Sequence, residues 1–411
     1  MKLMQRIGCR AVHLVLHLVL PLEPFSEPRI VHSVDEVPEL LRGRDVDSVL
    51  LVTGPHIYAS GLTDRLMEQL GNSGITCTIY SKTRSNPTVD DVEDAYALYR
   101  GQGCGAVIGF GGGSAMDCAK GVAARAAQPG KPITHMKGLL RVHKPTPPLV
   151  AVPTTAGSGS EVTLAAVITD SSRNYKYVIE DFALIPGYAV LDPALTVSAS
   201  PGVTATCGMD ALTHAVEAYI GRCTYGFTRA AAEEAVVLIH DNLYDAYTDG
   251  TNLEARRAMQ RAAYQAGNAF TRSYVGYVHG IAHSLGGRYG ISHGLACAVV
   301  LPHMLRAYGS SCTRPLARLA RLAGIAEKDA GTKEAADAFI AWIDEMNRSM
   351  GIPRHLDCIH REDIPEMASR AARESNPLYP VPRLMDADEL AHMYEVVAGW
   401  DEGGAEDGTA A

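Results

Sequence analysis

The chain has 411 residues, a length that suggests two domains, and its 47% apolar and 20% charged side chains can bury a sizeable core and exclude global disorder. The formal charge is −9 and no Lys/Arg block stands out, which argues against a nucleic-acid surface. Nine cysteines, odd in number and none in a CxxC pair, describe a reducing, cytoplasmic setting rather than a disulfide framework, each thiol being read as a small core hydrophobe.

Met1 to Arg10 is mildly basic and Ala11 to Leu22 is apolar, the order of a signal peptide. His13 and His17 interrupt the run, however, and Pro21-Leu22-Glu23-Pro24 offers no small-residue cleavage site. The run is also too short to span a bilayer, so it is read as a buried strand or short helix on a Pro-rich link, with no membrane partner. Strand and helix signals then alternate. Ser48 to Thr53, Ile75 to Tyr80, Ala106 to Phe110 and Leu149 to Pro153 are short apolar, β-branched runs. Between them, Gly61 to Gly71, Val89 to Tyr99 and Ala115 to Ala127 have helical spacing, with Thr88 and Asp90 as candidate caps. Repeated strand–helix units predict a parallel sheet covered on both faces.

From Thr204 the strand signals nearly vanish. Thr204 to Gly221, Thr228 to Tyr247, Leu253 to Phe270, Val278 to Leu285, Cys297 to Tyr308, Cys312 to Ala323 and Lys333 to Met350 read as helices. The change falls near Ser198 to Gly202, so the expected organisation is an α/β nucleotide-binding domain over residues 1–200 and an all-α domain over 201–411. There is no tandem repeat, and the Gly/Ala/Asp/Glu-rich tail from Asp401 is expected to fray.

Gly111-Gly112-Gly113-Ser114 lies where a strand passes into a helix. Glycines there admit a phosphate close to the backbone, and the helix start adds free N–H groups and a positive dipole end. The GxGxxG spacing is absent, and on its own the loop is equally a tight turn. Asp117 and Lys120 follow on the first turns of that helix, facing either solvent or a cofactor. A second small-residue loop, Pro153 to Glu161 (PTTAGSGSE), also follows a strand, and two such loops flank one crevice in an open α/β sheet.

Asp210 and His214 are four residues apart, as are His279 and His283, so each pair projects from one helix face. His293 follows a Gly-rich turn. Imidazole and carboxylate together suit a borderline divalent metal such as iron or zinc. No Glu lies within HGIAH, which rules out the HExxH protease motif. One site needs no more than four of these five residues; His240 and His303 are assigned no role.

The segments GFGGGSAMDCAK, PTTAGSGSEVT, LDP at 191 to 193, GMDALTHAVEAY and HGIAHSLGGRYGISHGLACAVVLPH occur in an order and spacing that resemble the iron-containing (group III) alcohol dehydrogenase family, from about Ser48 to Trp400. The resemblance implies a dehydroquinate synthase-like fold with metal and cofactor in the cleft between the two domains. It implies Asp210, His214, His279 and His293 as ligands of one divalent metal, Fe2+ or alternatively Zn2+, and His283 as the imidazole that relays a proton. It also implies cofactor contacts for NAD or NADP at Gly54, Asn86, Gly112, Gly113, Ser114, Ala115, Met116, Asp117, Thr154, Thr155, Ser158, Val167 and Lys176. Relatives that use NAD carry an Asp after the first strand; Gly54 stands there, which removes repulsion toward a 2′-phosphate and predicts that NADP(H) is accepted. Ala165 and Ala166 stand where some relatives carry bulkier side chains, and Ser292 replaces a Pro before the last ligand. The expected function is interconversion of a small primary alcohol or diol with its aldehyde, in a homodimer or higher homo-oligomer. The alternatives are a dehydroquinate-synthase-like cyclase and a non-catalytic relative that retains the site.

Overall fold

The computed structural model describes residue 1 and residues 3–171 and 175–400; the expected fraying of the tail from Asp401 lies outside the described residues. The first half contains helix α1 (Leu3–Val19), strand β1 (Arg29–Val31), α2 (Val37–Arg42), β2 (Ser48–Thr53), α3 (Pro55–Ala59), α4 (Asp64–Asn72) and β3 (Thr76–Tyr80). It continues with α5 (Val89–Gly101), β4 (Ala106–Gly111), α6 (Gly113–Ala127), β5 (Gly138–Leu139), β6 (Leu149–Pro153), β7 (Ala165–Asp170), β8 (Tyr175–Glu180) and β9 (Tyr188–Val190). Six strands form one parallel sheet in the order β1-β9-β6-β4-β2-β3.

Why these segments pair is legible in their composition. β4 and β6 are buried at every position and β2 at all but its first, as a sheet covered on both faces requires. Thr88 caps α5 by accepting from Asp91 N, while the Asp91 carboxylate accepts from Thr88 N. From β2 the chain moves outward to β3, then returns to β4 on the other side of β2. That reversal opens a crevice at the C-terminal ends of β2 and β4, beside Gly54 and Gly111.

A second, three-stranded sheet has the order β5-β8-β7, with β7 and β8 antiparallel and Val167 opposite Val178. The sequence reading missed this sheet, as well as β1 and β9. Two- and three-residue strands leave too short an alternation to detect, and the β7–β8 pair is fixed by partners rather than by its own pattern.

From Pro201 onward the elements are α7 (Pro201–Ile220), α8 (Gly226–Thr248), α9 (Leu253–Phe270), α10 (Tyr277–Tyr289), α11 (His293–Tyr308), α12 (Thr313–Leu322), α13 (Thr332–Ser349), α14 (Ile364–Ser375) and α15 (Ala387–Val397). α7 is buried at nearly every position after its first turn and is packed against α8, α9 and α11, which puts its two candidate ligands at the centre of the helical core.

The N-terminal segment corrects the sequence reading. It is neither a strand nor a buried short helix: α1 continues through a single turn of 3-10 helix to Leu22, 20 residues long and apolar enough to cross a bilayer by length and composition. Only one side of it finds cover. Cys9, His13 and Leu20 are buried, while Leu14, Val15 and Leu18 remain exposed. The helix is tied to the protein by Arg10, which donates to Val381 O (2.7 Å) and Pro382 O (2.9 Å), and by the Cys223 thiol, which donates to His13 O (3.5 Å).

Candidate active site

A cleft of about 910 Å³ runs from the C-terminal ends of β2 and β4 to the helices α7, α10 and α11. Its nucleotide end is built from backbone. Gly111 has φ of 149°, and a Cβ there would meet Ala115 Cβ at 2.9 Å; a Cβ on Gly113 would meet Ser158 Oγ at 2.9 Å. Only glycine lets the two small-residue loops approach this closely, and the space left open lies at the N-terminus of α6, where free N–H groups and the helix dipole favour an anion. The Ser114 hydroxyl donates to Ser85 O, closing the loop from the other side.

Of the cofactor candidates, Gly54, Asn86, Gly112, Gly113, Ser114, Ala115, Asp117, Thr155, Ser158, Val167 and Lys176 border this cleft. Met116 and Thr154 are buried and do not line it. Lys176 Nζ donates to Asn86 Oδ1 at 2.7 Å, joining two candidates that are 90 residues apart. Lys120 departs from the expectation of a side chain facing solvent or a cofactor, whereas Asp117 borders the cleft and is held there by protein donors. Asp117 Oδ1 accepts from Ser160 Oγ (2.7 Å) and Oδ2 from Val167 N (3.1 Å). Lys120 is fully buried, and its ammonium donates to Thr163 O, Thr163 Oγ1 and Ala165 O at 2.8, 3.0 and 2.8 Å. The reason is that α6 packs against β7, so Asp117 braces the second loop through Ser160 and Lys120 braces the turn that leads from it into β7. Burial pulls the Lys120 pKa down to about 8 against the opposing pull of Asp117 and Glu161.

At the other end, α7, α10 and α11 bring Asp210, His279 and His293 together with Cys297, their ligand-type atoms all within 4.8 Å of one another. Asp210 Oδ1 lies 3.5 Å from His293 Nε2, and Cys297 Sγ lies 3.6 Å from the same nitrogen. The His214 ring stacks on Phe270 with centroids 4.1 Å apart and lies 4.5 Å from the His279 ring, beside the group rather than within it. Asp210 Oδ1, His214 Nδ1 and His279 Nε2 are buried with no hydrogen-bond partner. Three orphaned polar atoms of this kind are costly unless an occupant satisfies them, and carboxylate plus imidazole is a donor set for a borderline divalent cation.

The protonation states agree with this. Burial and then the neighbouring His283 push His279 down to about 3, and burial followed by the other imidazoles depresses His214 and His293, so all three rings are neutral and able to ligate. Burial raises Asp210 to about 7. The Cys297 thiol is held well above its usual value by burial and then by Asp210, and so remains protonated. His283 differs: burial opposes its charge, but Glu374, whose Oε1 is 2.6 Å from His283 Nδ1, outweighs it and raises the pKa.

Two functional neighbours escaped the sequence reading. Glu217 lies one turn past His214 on α7; its Oε2 sits 2.6 Å from His279 Nδ1, and its two oxygens accept from Gly276 N and Val278 N, each at 2.8 Å. Cys297 follows His293 by four residues, a spacing already used for the other pairs and overlooked because every cysteine was read as packing. His240 and His303 lie away from the site, bonded to Asp241 and to Arg354 O.

Comparison with known proteins agrees with this geometry. Residues 29–193 match the family described as iron-containing alcohol dehydrogenase, and residues 204–397 match the C-terminal part of the Fe-containing alcohol dehydrogenase family. The chain is 37% identical over 380 residues to a 1,3-propanediol dehydrogenase of Klebsiella pneumoniae, covering 92% of this chain and 97% of that one. It is 34% identical over 362 residues to an NAD-dependent methanol dehydrogenase of Bacillus methanolicus, covering 88% and 95%. A crystal structure of a 1,3-propanediol oxidoreductase superposes with a TM-score of 0.87 at 35% identity, over 91% of this chain and all of that one. The class these findings define is an oxidoreductase that interconverts alcohols and aldehydes. The chain belongs to the iron-containing alcohol dehydrogenase family.

Proposed function

We propose that the protein is a divalent-metal-dependent dehydrogenase that interconverts a small primary alcohol or diol with its aldehyde, using NAD or NADP. The observation that carries the proposal is the meeting, in one cleft, of a glycine-lined anion cradle at the start of α6 and a cluster of buried, unpartnered carboxylate and imidazole atoms. Asp210, His214, His279 and His293 are the proposed ligands, and Fe2+ the proposed ion, with Zn2+ as the competitor by affinity order. When bound, the ion supplies Lewis acidity at the substrate oxygen and the nicotinamide accepts or donates hydride.

The chain's own residues do the remaining work. Glu217 holds His279 with Nδ1–H donated to a carboxylate, leaving Nε2 free toward the site. Lys176, fixed by Asn86 and close enough to His283 to lower its pKa, lines the cleft and is suited to a ribose hydroxyl. His283 at the cleft wall, paired to Glu374, exchanges the hydroxyl proton with solvent. Phe270 and Tyr274 line the substrate end and limit water.

NADP(H) acceptance is part of the proposal. Gly54 presents no carboxylate at the end of β2, and Arg84, with its guanidinium largely exposed, borders the same part of the cleft. A reducing, cytoplasmic location is supported by nine free cysteines. A homodimer or higher homo-oligomer is supported by the uncovered apolar residues of α1.

The deciding experiment is metal analysis of the purified protein together with an aldehyde panel read with both NADH and NADPH. Metal-dependent aldehyde reduction is the expected result. No turnover with either nucleotide after reloading with Fe2+ or Zn2+ sinks the reading, and strict NADH use sinks the NADP part of it.

A further inference from the structure

Strand β8 alternates its side chains, so Lys176, Val178 and Glu180 all face the cleft. At about 3.3 Å per residue, Lys176 and Glu180 are separated by roughly 13 Å along the strand. Lys176 serves the cofactor end. Glu180 stands at the far end, held by the main chain on both sides: Leu140 N donates to Glu180 O at 2.7 Å, and Ala165 is its partner across the β7–β8 ladder.

The carboxylate of Glu180 has no hydrogen-bonding or ionic partner among the described residues. Burial and then the like charge of Glu374 push its pKa up to about 7, with no cationic side chain opposing them. Aromatic side chains line the same cleft. Phe182 follows two residues later, and Tyr274 and Tyr379 line the wall close enough for Glu180 to raise the pKa of both hydroxyls. Tyr274 is held there with φ of 64°, a left-handed backbone that is rare for an aromatic residue. Leu16 and Leu20 of the N-terminal segment, which lies outside the family-matched residues, also border the cleft and add apolar surface to its wall.

A half-buried carboxylate on the wall of the cleft, without an internal counter-ion and sharing that wall with aromatic side chains, suits an ammonium group. We propose that Glu180 is the specificity-determining residue of this dehydrogenase and that its preferred substrate is an amino alcohol, whose ammonium group seats against Glu180, Phe182, Tyr274 and Tyr379 while its carbinol faces the Asp210–His279–His293 cluster. The inference rests on the dehydrogenase reading above. A neutral diol would offer the carboxylate a hydrogen bond but no charge, and a hydroxy acid would be repelled.

Four alcohols of nearly equal size separate these cases: 3-aminopropan-1-ol, propane-1,3-diol, butan-1-ol and 3-hydroxypropanoate, oxidised by the metal-loaded enzyme. The amino alcohol is expected to have the highest kcat/KM and the hydroxy acid the lowest. Glu180→Gln should lower kcat/KM for the amino alcohol at least tenfold, and leave butan-1-ol within twofold and NAD(P)H binding by fluorescence unchanged. An independent measurement uses the unaltered protein: tetramethylammonium chloride should inhibit butan-1-ol oxidation competitively, beyond the effect of sodium chloride at equal ionic strength. Turnover of butan-1-ol with no preference for the amino alcohol overturns this inference alone, as does equal inhibition by the two salts. No turnover of any of the four overturns the dehydrogenase reading and this inference with it.

Discussion

Glu217 Oε2 and His279 Nδ1 are 2.6 Å apart, both side chains are almost fully buried, and the two residues, on α7 and α10, are 62 positions apart in sequence. The carboxylate also takes two backbone N–H groups at the start of α10, so its position is set before any ion arrives. It fixes which imidazole nitrogen carries the proton and therefore which one faces the cluster. Glu217→Gln keeps the shape and removes the charge. Metal affinity, measured by chelator competition, should fall by about 10- to 100-fold, while cofactor binding in the cradle stays unchanged. Unaltered metal retention would show that packing alone orients His279.

His279→Ala and His283→Ala should separate ligation from proton exchange. The first is expected to lose the metal on dialysis. The second should keep it and turn over more slowly, because His283 is engaged with Glu374 rather than with the buried cluster. Glu374→Gln should slow turnover in the same direction as His283→Ala. Metal content measured beside activity decides the matter, and equal metal loss in His279→Ala and His283→Ala refutes the division.

Gly54→Asp should shift nucleotide use toward NAD(H). The residue has φ of −90°, acceptable for any side chain, and a Cβ there meets only Thr83 O at 3.4 Å. A carboxylate at that position can bond a ribose 2′-OH and repel a 2′-phosphate. The expected outcome is at least a tenfold fall in kcat/KM for NADPH with little loss for NADH. A parallel fall with both nucleotides would mean that the end of β2 has been distorted.

Gly113→Ala should raise the KM for the nucleotide and spare metal content, because its Cβ would lie 2.9 Å from Ser158 Oγ and push the two loops apart where the phosphate is expected. Titration of NAD(P)H fluorescence, beside metal analysis, reads the two effects separately.

Lys120→Met should destabilise the fold by about 3 kcal/mol, since a fully buried ammonium and its three acceptors lose one another. The pH dependence has a definite sign. A lysine at about 8 in the folded chain and about 10.4 unfolded binds fewer protons in the native state between those values. Its contribution to stability therefore rises with pH across that window, and the gap between wild type and Lys120→Met should widen from pH 8 to 10. Denaturant melts of both proteins at pH 7, 8, 9 and 10 measure it; a constant gap would contradict the lowered pKa.

The sequence by itself determined much of this molecule. Continuously apolar runs located β2, β4 and β6, because a strand buried on both faces must be apolar at every position. Four-residue spacing put Asp210 with His214 and His279 with His283 on common helix faces, because the helical period is a property of the local chain. What the sequence did not yield depends on distance between elements. Lys120 looked like a cofactor-facing or solvated lysine until α6 was packed on β7. Cys297 reads as an ordinary core residue and Glu217 carries no signal of its own until α7, α10 and α11 converge. Glu180 lay in a strand whose own pattern was too weak to be recognised, and it reaches the cleft only because β8 pairs with β7. Periodicity states which side of an element a residue occupies; only the packing of one element against another decides what waits there, and with it which buried charges find partners and which are left to bind a ligand.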